Sequence, residues 1–189
     1  PDFLCDDTKT SLLETEEFVA SHLGNDRVKP ILTPRFAPTC SWELIKGLGE
    51  IGRKYNVGLQ THLVESKAEK AWTLELFKDF KADGEIYERA GLLDNGPVVF
   101  AHVIFPSELD KKILKEHNCL TVHCPDSTNN IIAGIMPVVA LENEGIHISL
   151  GSDIGGGPDL PIYRQIASTV RISKLKAFYE QEGNLPVFF

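Results

Sequence analysis

The feature that most constrains the fold of this chain is a short, uninterrupted apolar run that ends in a histidine. Residues Pro97 to Ala101 read PVVFA, and His102 follows directly. A run of this length without alternation of polar and apolar residues is typical of a strand covered on both faces in a parallel sheet. We therefore predict a buried parallel strand with His102 at its carboxyl end.

Four other segments repeat this pattern, in which an apolar run finishes in a side chain capable of chemistry. They read VKPILTPRF, VGLQTH, CLTVHCP and HISLGSD, and with the first segment they deliver Arg35, His62, His102, His123 and Asp153. The carboxyl ends of parallel strands lie at one edge of a sheet or barrel, where such folds place their active sites. We therefore expect these five residues to point toward one end of the molecule.

Helical patterns separate the predicted strands. An amphipathic helix is predicted at Thr8 to Ala20, the segment DSTNN (126–130) is predicted to be a loop, and suitable N-caps for later helices are Ser41, Ser66 and Ser107. The alternation of strand and helix over five units predicts an α/β fold with parallel strands. The 189 residues fall short of the roughly 250 of a complete (β/α)8 barrel. The sheet is therefore either open or part of a longer chain.

Composition and charge argue against several classes of function for this chain. The formal net charge of −8 argues against binding a phosphate backbone, although a free nucleobase stays open as a substrate. No apolar run approaches the roughly 18 residues of a membrane span, and the acidic N-terminus does not resemble a signal peptide. The four cysteines form no C-x-x-C pair, as expected for reduced thiols. We expect a cytoplasmic enzyme domain that acts on a small molecule, without a nucleic-acid or membrane partner.

We interpret His62, His102 and Asp153 first as a metal-binding site. Imidazole nitrogens and carboxylate oxygens are good zinc ligands, and groups from separate strand ends can converge on one ion. Any one of these histidines alone is more often a hydrogen-bonded core residue. Glu65, three residues beyond His62, is placed to act as a general acid and base, or simply to stabilise the start of the next helix.

Arg35 and Phe36 close the first predicted strand. A guanidinium can bind a substrate carbonyl, and a neighbouring ring can stack on a flat substrate. An ion-paired arginine and a core phenylalanine are the structural alternatives. Gly155 to Gly157 lack the following Lys-Ser/Thr of a phosphate-binding loop.

The ordered motifs resemble a known family. TPRFAPTCS (33–41), QTHLVES (60–66), FAH (100–102), VHCPDS (122–127) and LGSDIGGG (150–157) are similar to the second part of the guanine deaminases, in the amidohydrolase superfamily. The resemblance covers nearly the whole chain, and TPRF is its most diagnostic segment.

The resemblance implies a zinc-dependent TIM-type (β/α)8 barrel that hydrolyses guanine to xanthine and ammonia, a step of purine catabolism, with iron as the alternative metal. The five strands would be strands four to eight, and residues 1–189 would form one partial barrel domain. His62 and Asp153 would be zinc ligands, and His102 would lie beside the metal and orient the activated water.

The remaining implied roles concern the proton and the substrate. Glu65 would carry a proton to the purine ring and the departing amine, and Asp153 would also help to deprotonate the water. Arg35 would hold the guanine carbonyl, and Phe36 would pack on the ring.

The sequence also departs from the family. Members carry a His-x-His pair at the end of the first barrel strand, and none occurs in these 189 residues. Because metal sites need three or four protein ligands, we expect the chain alone to bind zinc poorly and to be inactive. We also expect the exposed sheet edge to be covered by further chain or by a second copy in a homodimer. The DSTNN segment replaces a Ser-Asn pair that the family has sooner.

Two other functions stay open from the residues. The same superfamily site could deaminate a different amino-heterocycle, in which case Arg35 would matter less. With its ligand set incomplete, the chain could instead serve as a non-catalytic binding or assembly module.

Overall fold

Four parallel strands form the centre of the molecule. The computed structural model describes residues 5–180. The strands are hydrogen-bonded in chain order, and they are β1 (Leu59–Leu63), β2 (Val98–His102), β3 (Leu120–His123) and β4 (His147–Leu150). All three pairings are parallel. Four of the five predicted strands, and the parallel α/β class, are therefore confirmed.

The predicted first strand, Val28 to Thr33, is not a regular strand. Leu32 forms a single parallel bridge to Leu59, in which its N–H donates to the Gly58 carbonyl at 2.9 Å and its carbonyl accepts from Gln60 at 2.8 Å. Pro30 lies two residues before the bridge, and a proline has no N–H to donate to a ladder. The segment nevertheless runs along β1 and places Arg35 beside it.

Helices connect the strands on the pattern expected of β/α units. They are α1 (Thr8–His22), α2 (Trp42–Tyr55), α3 (Lys67–Leu76), α4 (Asp83–Arg89), α5 (Glu108–Glu116), α6 (Pro125–Asn130), α7 (Val138–Asn143) and α8 (Ile162–Glu180), with a 3-10 turn at Ala37–Thr39. None of the helices described within residues 5–180 combines the length and apolar character needed to cross a membrane.

The three predicted serine caps are confirmed. Ser41 accepts from the Leu44 N–H at 3.1 Å and opens α2. Ser107 and Asp110 form a reciprocal capping box at the start of α5. Such caps satisfy N–H groups that have no partner within the helix, and each contributes about 1 kcal/mol.

The prediction of a loop at DSTNN was wrong, because these residues lie in α6. Pro125 occupies its first position, where a missing N–H costs nothing. The Thr128 hydroxyl donates to the Cys124 carbonyl at 3.1 Å, and Gln165 of α8 donates to Asp126 at 2.9 Å. One local contact and one from a helix 39 positions away thus stabilise a helix whose residues individually favour turns.

The two faces of β1 and β2 differ in burial. Val98 and Phe100 of β2 are buried on one face, whereas the alternating Val99 and Ala101 are half-buried on the other. The apolar run of β2 had predicted burial on both faces. Among the described residues of β1 and β2, the side chains of this second face are all only half-buried, so that face stays partly open.

Candidate active site

The predicted site residues lie at one edge of the sheet. His62 is the penultimate residue of β1, His102 and His123 end β2 and β3, and Asp153 follows β4 by three residues. Because the four strands are parallel and in register, their carboxyl ends meet at this edge. The structure thus brings the histidines and Asp153 to one end of the sheet.

Strained backbone marks the same edge. Four non-glycine residues there have left-handed conformations, and they are Val64 (φ 46°), His102 (φ 74°), Val103 (φ 47°) and Asp153 (φ 44°). Such conformations are unfavourable for β-branched residues in particular, and they persist where the surrounding structure holds them. Strain at the strand ends that carry the polar side chains indicates a functional site.

His62, His102 and Glu65 form the centre of the cluster. The two imidazole rings stack with centroids 5.2 Å apart and planes 21° from parallel. His102 Nε2 lies 3.5 Å from Glu65 Oε1. The side chain of His102 is 1% exposed and that of Glu65 is 19% exposed, so the pair is largely shielded from water.

A hydrogen bond fixes the tautomer of His62. Its Nδ1 lies 2.6 Å from the carbonyl oxygen of Arg35. A carbonyl can only accept, so Nδ1 carries a proton, and in the neutral ring Nε2 keeps a free lone pair. This is the arrangement in which a histidine can bind a metal through Nε2 while a backbone carbonyl orients its ring.

Burial sets the protonation of the central pair. It raises the pKa of the Glu65 carboxyl above its ordinary value; His62 and Arg35 oppose this rise, and the charge of Asp153 adds to it. Burial lowers the pKa of His102 to about 4; His62 acts in the same direction, and Asp153 opposes it. At neutral pH His102 is therefore an uncharged imidazole, and Glu65 holds a proton more readily than an exposed glutamate.

The backbone of Glu65 is held by the next helix. Ser66 caps α3 by accepting from the Glu69 N–H, and Glu69 Oε2 in turn accepts from the Glu65 N–H at 3.1 Å. The sequence predicted Ser66 as the N-cap of this helix. The contact of Glu69 with the Glu65 backbone shows that the cap also positions a residue of the site.

Arg35 and Phe36 lie beside the cluster. The Phe36 ring meets His62 edge-on at 6.4 Å between centroids and contacts Trp72 of α3 at 6.1 Å. The Arg35 guanidinium lies 5.4 Å from the centre of the Phe36 ring. Arg35 is exposed and Phe36 is half-buried, so both can reach a flat molecule bound at the strand ends.

Sequence reasoning missed two features of the edge. The hydroxyl of Ser127 hydrogen-bonds the Asp153 carboxylate. His123 is buried, and neither of its ring nitrogens has a hydrogen-bond partner among the described residues. The VHCPDS motif contained both residues, but only the fold shows what each one contacts.

The donor set fits part of a zinc site. His62 offers a free Nε2, His102 Nδ1 is buried without a hydrogen-bond partner in residues 5–180, and Asp153 offers carboxylate oxygen. These atom types suit zinc. Within those residues, however, no three His, Cys, Asp or Glu side chains already gather closely enough to enclose an ion. The described residues thus supply donors without forming a complete metal cage.

Comparisons with known proteins show the family of this chain. The sequence profile of the amidohydrolase family matches residues 4–188. The guanine deaminase of Dictyostelium discoideum is 32% identical over 191 residues, which cover 100% of this chain but only 42% of that protein. This chain therefore spans about two-fifths of that relative's length.

Solved structures of other proteins match the fold of this chain. The crystal structure of guanine deaminase from C. acetobutylicum, with guanine bound in its active site, matches with a TM-score of 0.92 and 39% identity, over 97% of this chain and 44% of that one. An adenosine deaminase from Xanthomonas campestris with bound zinc matches with a TM-score of 0.77 over 87% of this chain and 37% of that one. At 16% identity the second likeness shows the fold alone.

Proposed function

This chain belongs to the amidohydrolase family, and from that premise we propose that it carries part of the active site of a guanine deaminase. The reaction replaces the amino group of guanine by an oxygen from water and yields xanthine and ammonia. The observation that carries the proposal is the shielded contact between Glu65 and His102, 3.5 Å apart, beside His62. It lies in a chain 39% identical to a guanine deaminase that holds guanine.

Zinc is the metal we propose, with iron as the alternative. His62 and Asp153 would hold it, with His102 beside them, and further ligands would come from outside this chain. Bound there, the metal would act as a Lewis acid that makes water a nucleophile at neutral pH. The Arg35 carbonyl supports the role of His62, because it keeps Nδ1 protonated and Nε2 free.

Glu65 would move the protons of the reaction. Water adds to the ring carbon that carries the amine, a carbon–oxygen bond forms, and the carbon–nitrogen bond to the amine breaks. Of the two water protons, one goes to the adjacent ring nitrogen and the other leaves with ammonia. A half-buried carboxyl 3.5 Å from a neutral imidazole is suited to both transfers, and Asp153 would assist in taking the first proton from water.

Arg35 and Phe36 would bind the purine. The guanidinium can donate to the guanine carbonyl, and the Phe36 ring can pack against the base. The edge-on contact of Phe36 with His62 supports this, because it places the ring next to the central cluster.

The fold and partners follow from the same proposal. The bridged segment before β1 and the four strands would be strands four to eight of a (β/α)8 barrel, with residues 1–189 as a partial barrel domain. The open face of the sheet supports this, as do apolar side chains on α8 that are about half exposed, Ile162, Ile166 and Val170. We propose a cytoplasmic homodimer of the complete protein with a purine as its small-molecule substrate.

The test is ammonia release by the purified full-length protein from a panel of amines. Guanine should yield ammonia and xanthine in equal amounts. Release of ammonia from another aminopurine or from cytosine, with none from guanine, would reject the substrate. No release from any member of the panel would favour a binding or assembly module.

A further inference from the structure

A buried hydroxyl lies against the carboxylate at the end of β4. The Ser127 hydroxyl donates a hydrogen bond to Asp153 Oδ2, across 26 positions of sequence. Ser127 is 1% exposed, and it lies in α6, which starts two residues after the end of β3. The bond uses one carboxylate oxygen and leaves Oδ1 available at the strand edge.

The two partners of this bond are held from both sides. The Asp153 carbonyl accepts from the N–H groups of Gly156 and Gly157, at 3.0 and 2.6 Å, which closes a tight turn on the left-handed Asp153. Asn130, at the other end of α6, donates to the Gly156 carbonyl at 2.9 Å. The helix and the turn are therefore joined at two points, and the serine bond is one of them.

Gly156 packs directly against the pair. A β-carbon at this position would lie 2.6 Å from the Ser127 hydroxyl oxygen and 2.8 Å from Asp153 Oδ2. The glycine thus allows the turn to cover the hydrogen bond directly. Oδ2 of Asp153 is thus held by the Ser127 hydroxyl on one side and packed against the glycine turn on the other.

We propose that Ser127 is a positioning residue for Asp153. Its hydroxyl holds Oδ2 and so directs Oδ1 toward the edge that His62 and His102 share. This inference rests on the proposed function for the role of Asp153. It gives the DSTNN segment, which departs from the family pattern, a place in the site.

The test compares two neighbouring hydroxyl deletions in the full-length enzyme. Ser127→Ala removes the bond to the carboxylate, whereas Thr128→Val removes a buried hydroxyl of the same helix that bonds only backbone carbonyls. Removing a group that orients a metal ligand typically costs about 10- to 100-fold in metal affinity or activity. We expect Ser127→Ala to lower kcat by about that factor with KM within about twofold, and to lose zinc faster to a chelator. Thr128→Val should change neither.

Equal losses in both variants would overturn the proposal, because they would reflect weakening of α6 itself. Wild-type kcat and zinc retention in Ser127→Ala would overturn it too. If Ser127→Ala does not fold, Ser127→Cys keeps the size with a weaker donor and serves the same comparison. Zinc retention is measured without substrate, so this outcome is separate from a failure of wild-type enzyme to deaminate guanine.

Discussion

Asp83 makes the stability of this fold depend on pH in a way that can be measured. It opens α4, is 3% exposed, and its Oδ1 has no hydrogen-bond partner in the described part of the chain. Burial, the charge of Asp110 and the charge of Glu69 together raise its pKa from the ordinary 3.8 to about 7, against smaller effects of Thr73 and Lys70.

Asp110 is a fixed neighbour of Asp83 because hydrogen bonds hold its carboxylate in place. It accepts from the Gly84 N–H at 2.9 Å and from the backbone and hydroxyl of Ser107 at 2.8 and 2.6 Å. The negative charge beside Asp83 is therefore built into the cap of α5.

The sign and size of the effect follow from linkage. Below pH 3.8 Asp83 is protonated in both states, and between pH 3.8 and 7 only the folded state keeps the proton, so stability falls as the pH rises. The free energy of unfolding falls by about 1.4 kcal/mol for each pH unit in this window, and by about 4 kcal/mol in total above pH 8. Roughly 1.5 to 2 kcal/mol of this loss has already occurred at pH 5. Asp83→Asn cannot ionise, so its advantage over wild type should widen by about 2.5 kcal/mol between pH 5 and pH 8.5.

Urea unfolding of the full-length protein at several pH values measures this difference. The exposed Asp79→Asn is the matched control, and its difference from wild type should stay constant across the range. A difference between Asp83→Asn and wild type that does not change with pH would refute the reasoning, since it would mean that Asp83 ionises alike in both states.

Three further predictions concern catalysis, substrate choice and packing. Glu65→Gln should lower guanine turnover by at least about 100-fold while zinc stays bound, and loss of zinc instead would make Glu65 a ligand. Arg35→Ala should raise the KM for guanine by about tenfold but spare an aminopurine without a carbonyl, and equal effects on both would contradict carbonyl binding. Gly58→Ala should strongly lower the midpoint of thermal unfolding, because its β-carbon would lie 2.0 Å from the Pro97 carbonyl oxygen, whereas Gly24→Ala, with open space around it, should not; a similar shift in both would contradict the packing.

The strand ends could be predicted because two local signals coincide in them. An apolar run predicts a buried strand, and the polar residue that closes the run marks its carboxyl end. For His62 and His102 the parallel arrangement brings the two strand ends together. Their ring stacking needs more than that, because His62 is in register with Ala101 and strand alternation would place the two imidazoles on opposite faces. The left-handed backbone of His102 breaks this alternation, and the sequence did not predict it.

What could not be predicted depends on contacts distant in the sequence. The segment around Leu32 forms a single bridge to β1 instead of a regular strand, because the nearby Pro30 has no N–H to donate. Helix α6 could not be predicted because Asp, Ser and Asn favour turns locally. The helix is stabilised by a hydrogen bond from Gln165 of α8 to Asp126, 39 positions away in the sequence. The bond from Ser127 to Asp153 likewise joins two units of the fold, and no local pattern announces it.

The claim that His62 and Asp153 hold a zinc ion is tested most directly by an anomalous difference map from crystals of the active full-length protein. The data are collected at the X-ray absorption edge of zinc. We predict one strong peak at the strand edge, about 2.0 to 2.2 Å from His62 Nε2 and from a carboxylate oxygen of Asp153. A peak distant from both residues, or no peak in crystals of protein that releases ammonia from guanine, would contradict the account.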